Sequence, residues 1–151
     1  MIRVLGIDWG VKRHGLAVSD PLGLAAHPVG VVERRGPDDG LPEVARIARE
    51  KGAERVVVGL PFHMDGRPGD HHAEVLAFVK RLREFLGLPV ETIDERLTTV
   101  QAERALAEGG LSRKKRAARV DQTAACFILR SWLDARALRE KLPPAGGSAV
   151  D

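Results

Sequence analysis

The chain has 151 residues, 44% of them hydrophobic, and a formal charge of +3 with a pI near 9.4, which together indicate one mildly basic domain able to bury an apolar core. Its single cysteine, Cys126, excludes an internal disulfide and favours a reducing compartment. No signal peptide is recognisable and no apolar stretch approaches the roughly 20 residues of a membrane-spanning helix, so we expect a soluble protein of the cytoplasm with no membrane partner.

The first part of the chain predicts a three-stranded meander followed by a helix. Alternating, β-rich segments predict strands over 2–8, 14–19 and 28–34, and the short turns between them favour antiparallel pairing. Apolar residues at helical spacing then predict a helix from about residue 40 to Gly52, a good stop signal.

The rest of the chain alternates strands with helices. A continuous apolar run at 55–60 is typical of a buried parallel strand, and residues 71–86 place apolar side chains on one face of a helix. A further strand is predicted at 89–94. A capping box then opens a helix over about 98–108, and the last helix is predicted over 119–138.

This element order predicts the fold class. Strands joined through helices imply right-handed crossovers and a partly parallel sheet, and the order βββ-α-β-α-β-α-α is that of the RNase H-like class. We therefore predict an α/β fold with a five-stranded mixed sheet flanked by helices on both faces. Residues 1–138 are predicted to form a single domain, and residues 139–151 a flexible C-terminal tail.

Three carboxylates lie where a charge needs a partner. Asp8 closes the first strand, at the sheet edge where ligands gather in α/β folds, and a buried carboxylate is costly unless it binds a metal or a cation. Glu95 follows the strand at 89–94, and Asp121 lies on the apolar stripe of the last helix. Since two strand ends and a helix start can converge at one rim, we interpret the three acids as one site.

Each acid also has a purely structural interpretation. Asp8 could form the turn before Gly10, Glu95 could pair with Arg96, and Asp121 could cap its helix or interact with the helix macrodipole. These explanations treat each residue alone, whereas a shared site accounts for all three.

The chemistry that three carboxylates favour is metal-dependent hydrolysis of a phosphodiester. Carboxylate oxygens, with water and phosphate completing the shell, suit Mg²⁺ or Mn²⁺ rather than zinc, and the five histidines lack the spacing of a zinc site. Two such ions about 3.5–4 Å apart would clamp the attacking and leaving oxygens. We therefore predict that Asp8, Glu95 and Asp121 are both catalytic and metal-binding.

Basic side chains are candidates for contacts with nucleic acid. Five cations fall within seven residues, at Arg113, Lys114, Lys115, Arg116 and Arg119. A solvated helix end and a phosphate contact remain equally open interpretations of this cluster. Lys12, Arg13 and Arg96 lie closer to the acids and could balance charge on the scissile phosphate.

Four motifs in one order carry a family resemblance: GIDWGVKRHGLAVSD (6–20), VVVGLPFHMDG (56–66), DERLTTVQAE (94–103) and GLSRKKRAARVDQTAA (110–125). Together they resemble the YqgF family, whose members are described as Holliday-junction resolvases and as nucleases maturing the 5′ end of precursor 16S rRNA. The resemblance runs from residue 3 to about 135. It implies an RNase H-like fold, a divalent ion, catalytic acids at Asp8, Glu95 and Asp121, and substrate contacts by Thr98, Thr99 and residues 112–116.

The chain departs from the family pattern at two histidines. His14 occupies a position that is usually aliphatic, and His63 stands where the family usually has Asn, which bears on substrate contacts by its loop. A geometric question also follows, because Glu95 comes from one strand beyond the 55–60 strand. Its side chain must reach across about 9–10 Å, at ~4.8 Å per strand, which leaves a one-metal site open.

Several functions are compatible with these residues. We favour endonucleolytic processing of the 5′ end of precursor 16S rRNA; cutting of four-way DNA junctions is the alternative, and would call for a symmetric homodimer making paired cuts. A non-catalytic protein that binds RNA or a ribosome precursor would use the same basic cluster. A nucleotide-binding protein of the sugar-kinase and actin type is disfavoured, because it needs two such domains.

Overall fold

The computed structural model describes residues 2–36, 38–97 and 113–141, and the side chains of the last range from 124 to 140. The elements in chain order are β1 (Val4–Asp8), β2 (Arg13–Ser19), β3 (Ala26–Glu33), α1 (Leu41–Glu50), β4 (Arg55–Leu60), α2 (His72–Leu86), β5 (Val90–Asp94), a 3₁₀ turn (Glu95–Leu97) and α3 (Arg113–Lys141).

The strands form one mixed sheet in the order β3-β2-β1-β4-β5. The first three pair antiparallel, as the short turns predict, and β4 lies parallel to both β1 and β5. Each parallel connection passes through a helix, as crossovers require. The predicted five-stranded mixed sheet is confirmed.

Helices cover both faces of the sheet, as predicted. Leu5, Ile7 and Val58 point to the face covered by α1 and α2, where the larger core cluster forms around Phe78. Val4 and Val57 point to the opposite face and pack against α3. Because side chains alternate along a strand, Asp8 shares this second face with Val4.

The helix α3 lies close against β1 because Gly6 has no side chain. A Cβ built on Gly6 would be 2.7 Å from the Cβ of Leu129 and 3.2 Å from the carbonyl oxygen of Ala125. One turn further on, Trp132 and Leu133 belong to the cluster of Val4. The helix therefore runs along β1, and its N-terminal direction leads toward the Asp8 end.

The predicted starts of the last helix and of the third strand differ from the structure by two residues or more. The last helix begins at Arg113 and not at residue 119, because Arg, Lys and Ala are good helix formers, so the basic cluster continues the helix. The strand predicted from residue 28 begins at Ala26; Pro28 is tolerated because β3 has a strand on one side only, and a register shift lies opposite it between Leu16 and Ala17.

Other predictions fall partly outside the described residues. The helix predicted over 98–108 lies there entirely. Residues 139–141 of the predicted tail belong to α3 and residues 142–151 are not described, so the domain boundary stays a prediction. Within the part of the chain that the structure describes, no helix is long and apolar enough to cross a membrane.

Candidate active site

Asp8 lies at the carboxyl end of β1, with 2% of its surface exposed, on the sheet face covered by α3. In the antiparallel pairing of β1 with β2, Asp8 lies opposite Gly15. On the other side Ile7 pairs with Val58, and the same register continued by one residue sets Asp8 beside Gly59 of β4. Both residues that flank Asp8 in the sheet are therefore glycines, which lets side chains from elsewhere in the fold approach its carboxylate.

Glu95 reaches the same face by crossing β4 at Gly59. A Cβ built on Gly59 would lie 2.9 Å from Oε1 and 3.1 Å from Cγ of Glu95, so the carboxylate occupies the space above this glycine. Glu95 is 8% exposed. Since adjacent strands are about 4.8 Å apart, the crossing brings its carboxylate to within roughly one strand spacing of Asp8.

Asp94 takes no part in this crossing. Its carboxylate is bound by Arg96, with Nη2 to Oδ2 at 2.7 Å and Nε to both oxygens at 3.1 and 3.2 Å. The Arg96 side chain also stacks over Phe62, 5.1 Å from the ring centroid. The hydrogen bonds from Arg96 lower the pKa of Asp94, and Asp94 raises the pKa of Arg96, so both stay charged and oriented beside Glu95.

Asp121 lies in the N-terminal part of α3, one turn before Ala125, which is about 6 Å along the axis. Since α3 runs along β1 with its N-terminal direction toward Asp8, this helix position lies at the Asp8 end of the strand. The side chain of Asp121 is outside the described part. Among the side chains that are described, no three His, Cys, Asp or Glu residues form a metal-binding cluster.

A family model for RuvX, the Holliday junction resolvase family, matches residues 2–135. The chain belongs to the RuvX family. This confirms the resemblance to YqgF that the four sequence motifs carry. Membership makes the chain a nuclease, a hydrolase that acts on the phosphodiester bonds of nucleic acid.

Curated relatives in this family match over nearly their whole length, and each is named "Putative pre-16S rRNA nuclease". The protein of Symbiobacterium thermophilum is 45% identical over 138 residues, 91% of this chain and 96% of that protein. That of Clostridium novyi is 42% identical over 88% of this chain and 98% of the relative. That of Thermosynechococcus vestitus is 42% identical over 97% of both.

Solved structures give the same fold. Thermus thermophilus RuvC in complex with a Holliday junction substrate covers 91% of this chain and 96% of that chain, at a TM-score of 0.52 and 21% identity. A second structure of Thermus thermophilus RuvC covers 90% and 96%, at a TM-score of 0.53 and 21% identity. The predicted RNase H-like fold of this RuvX family member is thereby confirmed.

The predicted nucleic-acid contacts are only partly within the described residues. Lys12 is exposed in the turn between β1 and β2, and Arg13 pairs with Glu33 at 3.4 Å. Thr98 lies outside the described residues. The predicted contacts at Arg113, Lys114, Lys115 and Arg116 form the first turn of α3, and their side chains are not described.

Sequence reasoning missed the network that holds the turn after Asp8. Arg34 donates from Nη1 to the carbonyl oxygens of Gly10 (2.9 Å) and Val11 (2.8 Å), and its guanidinium lies 4.7 Å from the Trp9 ring. It also forms an ion pair with Asp39. Gly10 and Val11 are 24 and 23 residues from Arg34, and no motif spacing signals these contacts.

His14 belongs to this network and is fully buried. The Gly10 N–H donates to its Nδ1 at 3.2 Å, and its Nε2 donates to the carbonyl oxygen of Asp39 at 2.9 Å. Burial lowers the pKa of His14, against the opposing effect of Asp39. The neutral ring thus ties the turn after Asp8 to the segment before α1, which gives the family departure at this position a structural role.

Proposed function

We propose that this RuvX family member is a divalent-metal-dependent endonuclease acting at Asp8, Glu95 and Asp121, and that its substrate is the 5′ end of precursor 16S rRNA. The observation that carries the proposal is the passage of Glu95 over Gly59 to the side of Asp8. Two nearly buried carboxylates this close repel each other and lose hydration, and a shared cation offsets both costs.

The donor set fits Mg²⁺ or Mn²⁺. Carboxylate oxygens are hard ligands of the kind these ions prefer, and the absence of a side chain at Gly59 lets the Glu95 carboxylate lie on the same sheet face as Asp8. When bound, such an ion stabilises charge on the phosphate and lowers the pKa of bound water. Asp8 and Glu95 would hold it, with Asp121 supplying the third carboxylate from α3.

Basic side chains around the acids would position the substrate. Arg96 is the best placed, because Asp94 and Phe62 fix its guanidinium directly after Glu95. Lys12 and Arg13 lie at the other flank of Asp8. Further contacts are proposed for Thr98 and for the first turn of α3, at Arg113, Lys114, Lys115 and Arg116.

The choice of substrate rests on the relatives. Those named for pre-16S rRNA are more than 40% identical and align over most of both chains, which favours the rRNA end. The family description favours four-way DNA as the second candidate. That activity would require a homodimer to make two symmetric cuts. Precursor rRNA is a cytoplasmic substrate in bacteria, so we propose that the protein acts in the cytoplasm. We also propose that residues 1–138 form its single nuclease domain.

The test uses labelled 5′-extended 16S precursor RNA and a labelled four-way DNA junction, each in Mg²⁺, Mn²⁺ or EDTA. Asp8→Asn is the inactive variant, and Asp134→Asn, an exposed acid on α3, is the matched control. Metal-dependent cutting lost only in Asp8→Asn is expected, and the substrate that is cut decides between the two functions. Binding without cutting, unchanged in Asp8→Asn, would instead assign a non-catalytic RNA-binding role.

A further inference from the structure

The loop between β4 and α2 forms a small hairpin, residues 62–68, that holds one apolar side chain at its tip. Phe62 and Pro68 form a β-bridge at its base. The His63 N–H donates to the carbonyl oxygen of Arg67 at 2.8 Å, and the Gly66 N–H donates to that of His63 at 2.9 Å. These bonds close a tight turn, so the tip is presented in a defined place.

The foot of the hairpin is fixed to the body of the protein. Nδ1 of His72 and the N–H of Gly69 both donate to the carbonyl oxygen of Pro61, at 3.0 and 3.1 Å. The rings of His72 and Phe62 meet edge to face at 4.9 Å. The hairpin is therefore braced from α2 and from the end of β4.

The hairpin also touches the residue that follows Glu95. Arg96 stacks on Phe62 at 5.1 Å, and a Cβ on Gly66 would lie 3.6 Å from Nη1 of Arg96. Met64 is two residues from each of these contacts, at most about 7 Å along the chain. The hairpin that carries Met64 therefore lies against Arg96, the residue that follows Glu95.

Met64 is 78% exposed, more than any other large hydrophobic side chain among the described residues. Val11, three residues after Asp8, is 57% exposed at the same edge of the sheet. Exposure of these apolar groups is unfavourable in the free protein. Lys12 lies in the turn of Val11 and Arg67 in the hairpin of Met64, where it pairs with Asp65. Arg96 lies in the 3₁₀ turn that contacts the hairpin, so the surface combines apolar side chains with cations that could bind phosphate.

We propose that Met64 is a specificity-determining residue that inserts between two bases beside the scissile phosphate. Apolar wedges, methionine among them, unstack base steps in this way, and the unbranched thioether adapts to either base. Unstacking costs least where bases are already unpaired. The enzyme would then select bulges, branch points and single-stranded ends over continuous duplex. This proposal rests on the proposed nuclease function, because it takes the nucleic acid that Met64 contacts to be the substrate.

The test measures base unstacking in the absence of cutting. RNA probes carrying 2-aminopurine at a bulge, beside a continuous duplex of the same composition, are titrated with Asp8→Asn protein. Saturation should raise the 2-aminopurine emission at the bulge. Adding Met64→Ala should abolish the rise and weaken binding to the bulged probe about tenfold, the lower end for one methionine side chain. Binding to the continuous duplex should change by less than about twofold.

Two further variants keep the test specific. Met64→Leu should preserve the emission rise, since an apolar wedge remains. Leu24→Ala removes an equally exposed side chain, 74%, from the opposite edge of the sheet and should change nothing. Binding without an emission rise, or a rise that survives Met64→Ala, would overturn the wedge while leaving the nuclease proposal intact. An emission rise in a protein whose wild type cuts nothing would overturn the nuclease function alone.

Discussion

The carboxylate of Glu95 fills the space that a side chain at Gly59 would need: a Cβ there would lie 2.9 Å from Oε1. Glycine at this position of β4 is therefore what allows an acid from beyond β5 to reach Asp8 on β1. In this RuvX family member, the residue type at position 59 of β4 thus decides whether Glu95 can lie beside Asp8.

Gly59→Ala should therefore reduce nuclease activity at least about tenfold, because the new methyl group pushes the Glu95 carboxylate away from Asp8. The variant should also lose about 1–3 kcal/mol of stability through overpacking. Cleavage of precursor RNA and urea unfolding measure the two effects. Activity close to that of the wild type would show that Glu95 is not required where the structure places it.

A second substitution separates the two effects of Gly59→Ala. The same methyl group would lie 2.5 Å from Cδ1 of Ile128, and Ile128→Val removes that atom. In the double variant we expect stability to recover while activity stays low, because Glu95 is still displaced. Ile128→Val alone is the control, with an expected loss of about 0.5–1.5 kcal/mol. Recovery of activity together with stability would assign the defect of Gly59→Ala to folding.

Local sequence patterns predicted most of the fold. The uninterrupted run of β4, RVVVGL, predicts a strand buried on both faces, and the pairing with β1 and β5 requires just that. The passage over Gly59 could not be predicted in the same way. It depends on the register between strands distant in sequence, and the letters at 59 and 95 carry no information about which residues lie opposite one another.

The same limit applies to the network behind Asp8. His14 could be noticed as unusual for the family, but its partner Asp39 is 25 residues away and is reached through a backbone carbonyl. Backbone acceptors have no sequence signature. The start of α3 differs from the prediction for another reason. A basic cluster indicates charge, and charge alone does not end a helix formed by Arg, Lys and Ala.

Acidification should destabilise the protein through His14. Burial lowers its pKa in the folded state below the ordinary value of 6.5, so the unfolded chain binds the proton first. Stability is then highest above pH 6.5 and falls as the pH drops from 6.5 toward the folded pKa. Protonation would also place an N–H at Nδ1, opposite the N–H of Gly10. Urea unfolding between pH 7.5 and pH 5 measures this slope.

His14→Leu tests the assignment of that slope. The variant should lose about 1–3 kcal/mol at pH 7.5, since the Gly10 N–H and the Asp39 carbonyl lose their partner. Its stability should nevertheless change less between pH 7.5 and pH 5 than that of the wild type. His27→Gln, an exposed histidine on β3, should leave the slope as it is. If the pH dependence of stability is unchanged in His14→Leu, groups other than His14 cause the sensitivity to acid.

Salt dependence tests the first turn of α3. If its basic side chains contact phosphates, log affinity should fall linearly with log salt, by about 0.9 per phosphate on duplex DNA and about 0.7 on single strands. Lys114→Ala with Lys115→Ala should make that slope shallower by the amount that corresponds to one or two phosphate contacts. The control is Lys51→Ala with Lys80→Ala, which removes the same charge elsewhere. Lys51 is half-exposed and follows α1, and Lys80 is exposed on α2. Equal slopes in the two double variants would exclude the cluster from the interface.

Asp94→Asn should weaken substrate binding by Arg96 while leaving the three acids Asp8, Glu95 and Asp121 in place. The carboxylate of Asp94 orients the guanidinium through three hydrogen bonds, and an amide cannot reproduce that charge-assisted geometry. Because the pair is partly exposed, we expect KM for precursor RNA to rise about two- to fivefold with little change in kcat. Glu43→Gln breaks a comparable pair with Arg46 on α1, which covers the other face of the sheet from the acids, and should leave both constants unaltered. A fall in kcat with unchanged KM would instead place Asp94 among the groups that act on the reacting phosphate, because an arginine that only binds substrate acts equally on the ground state and the transition state.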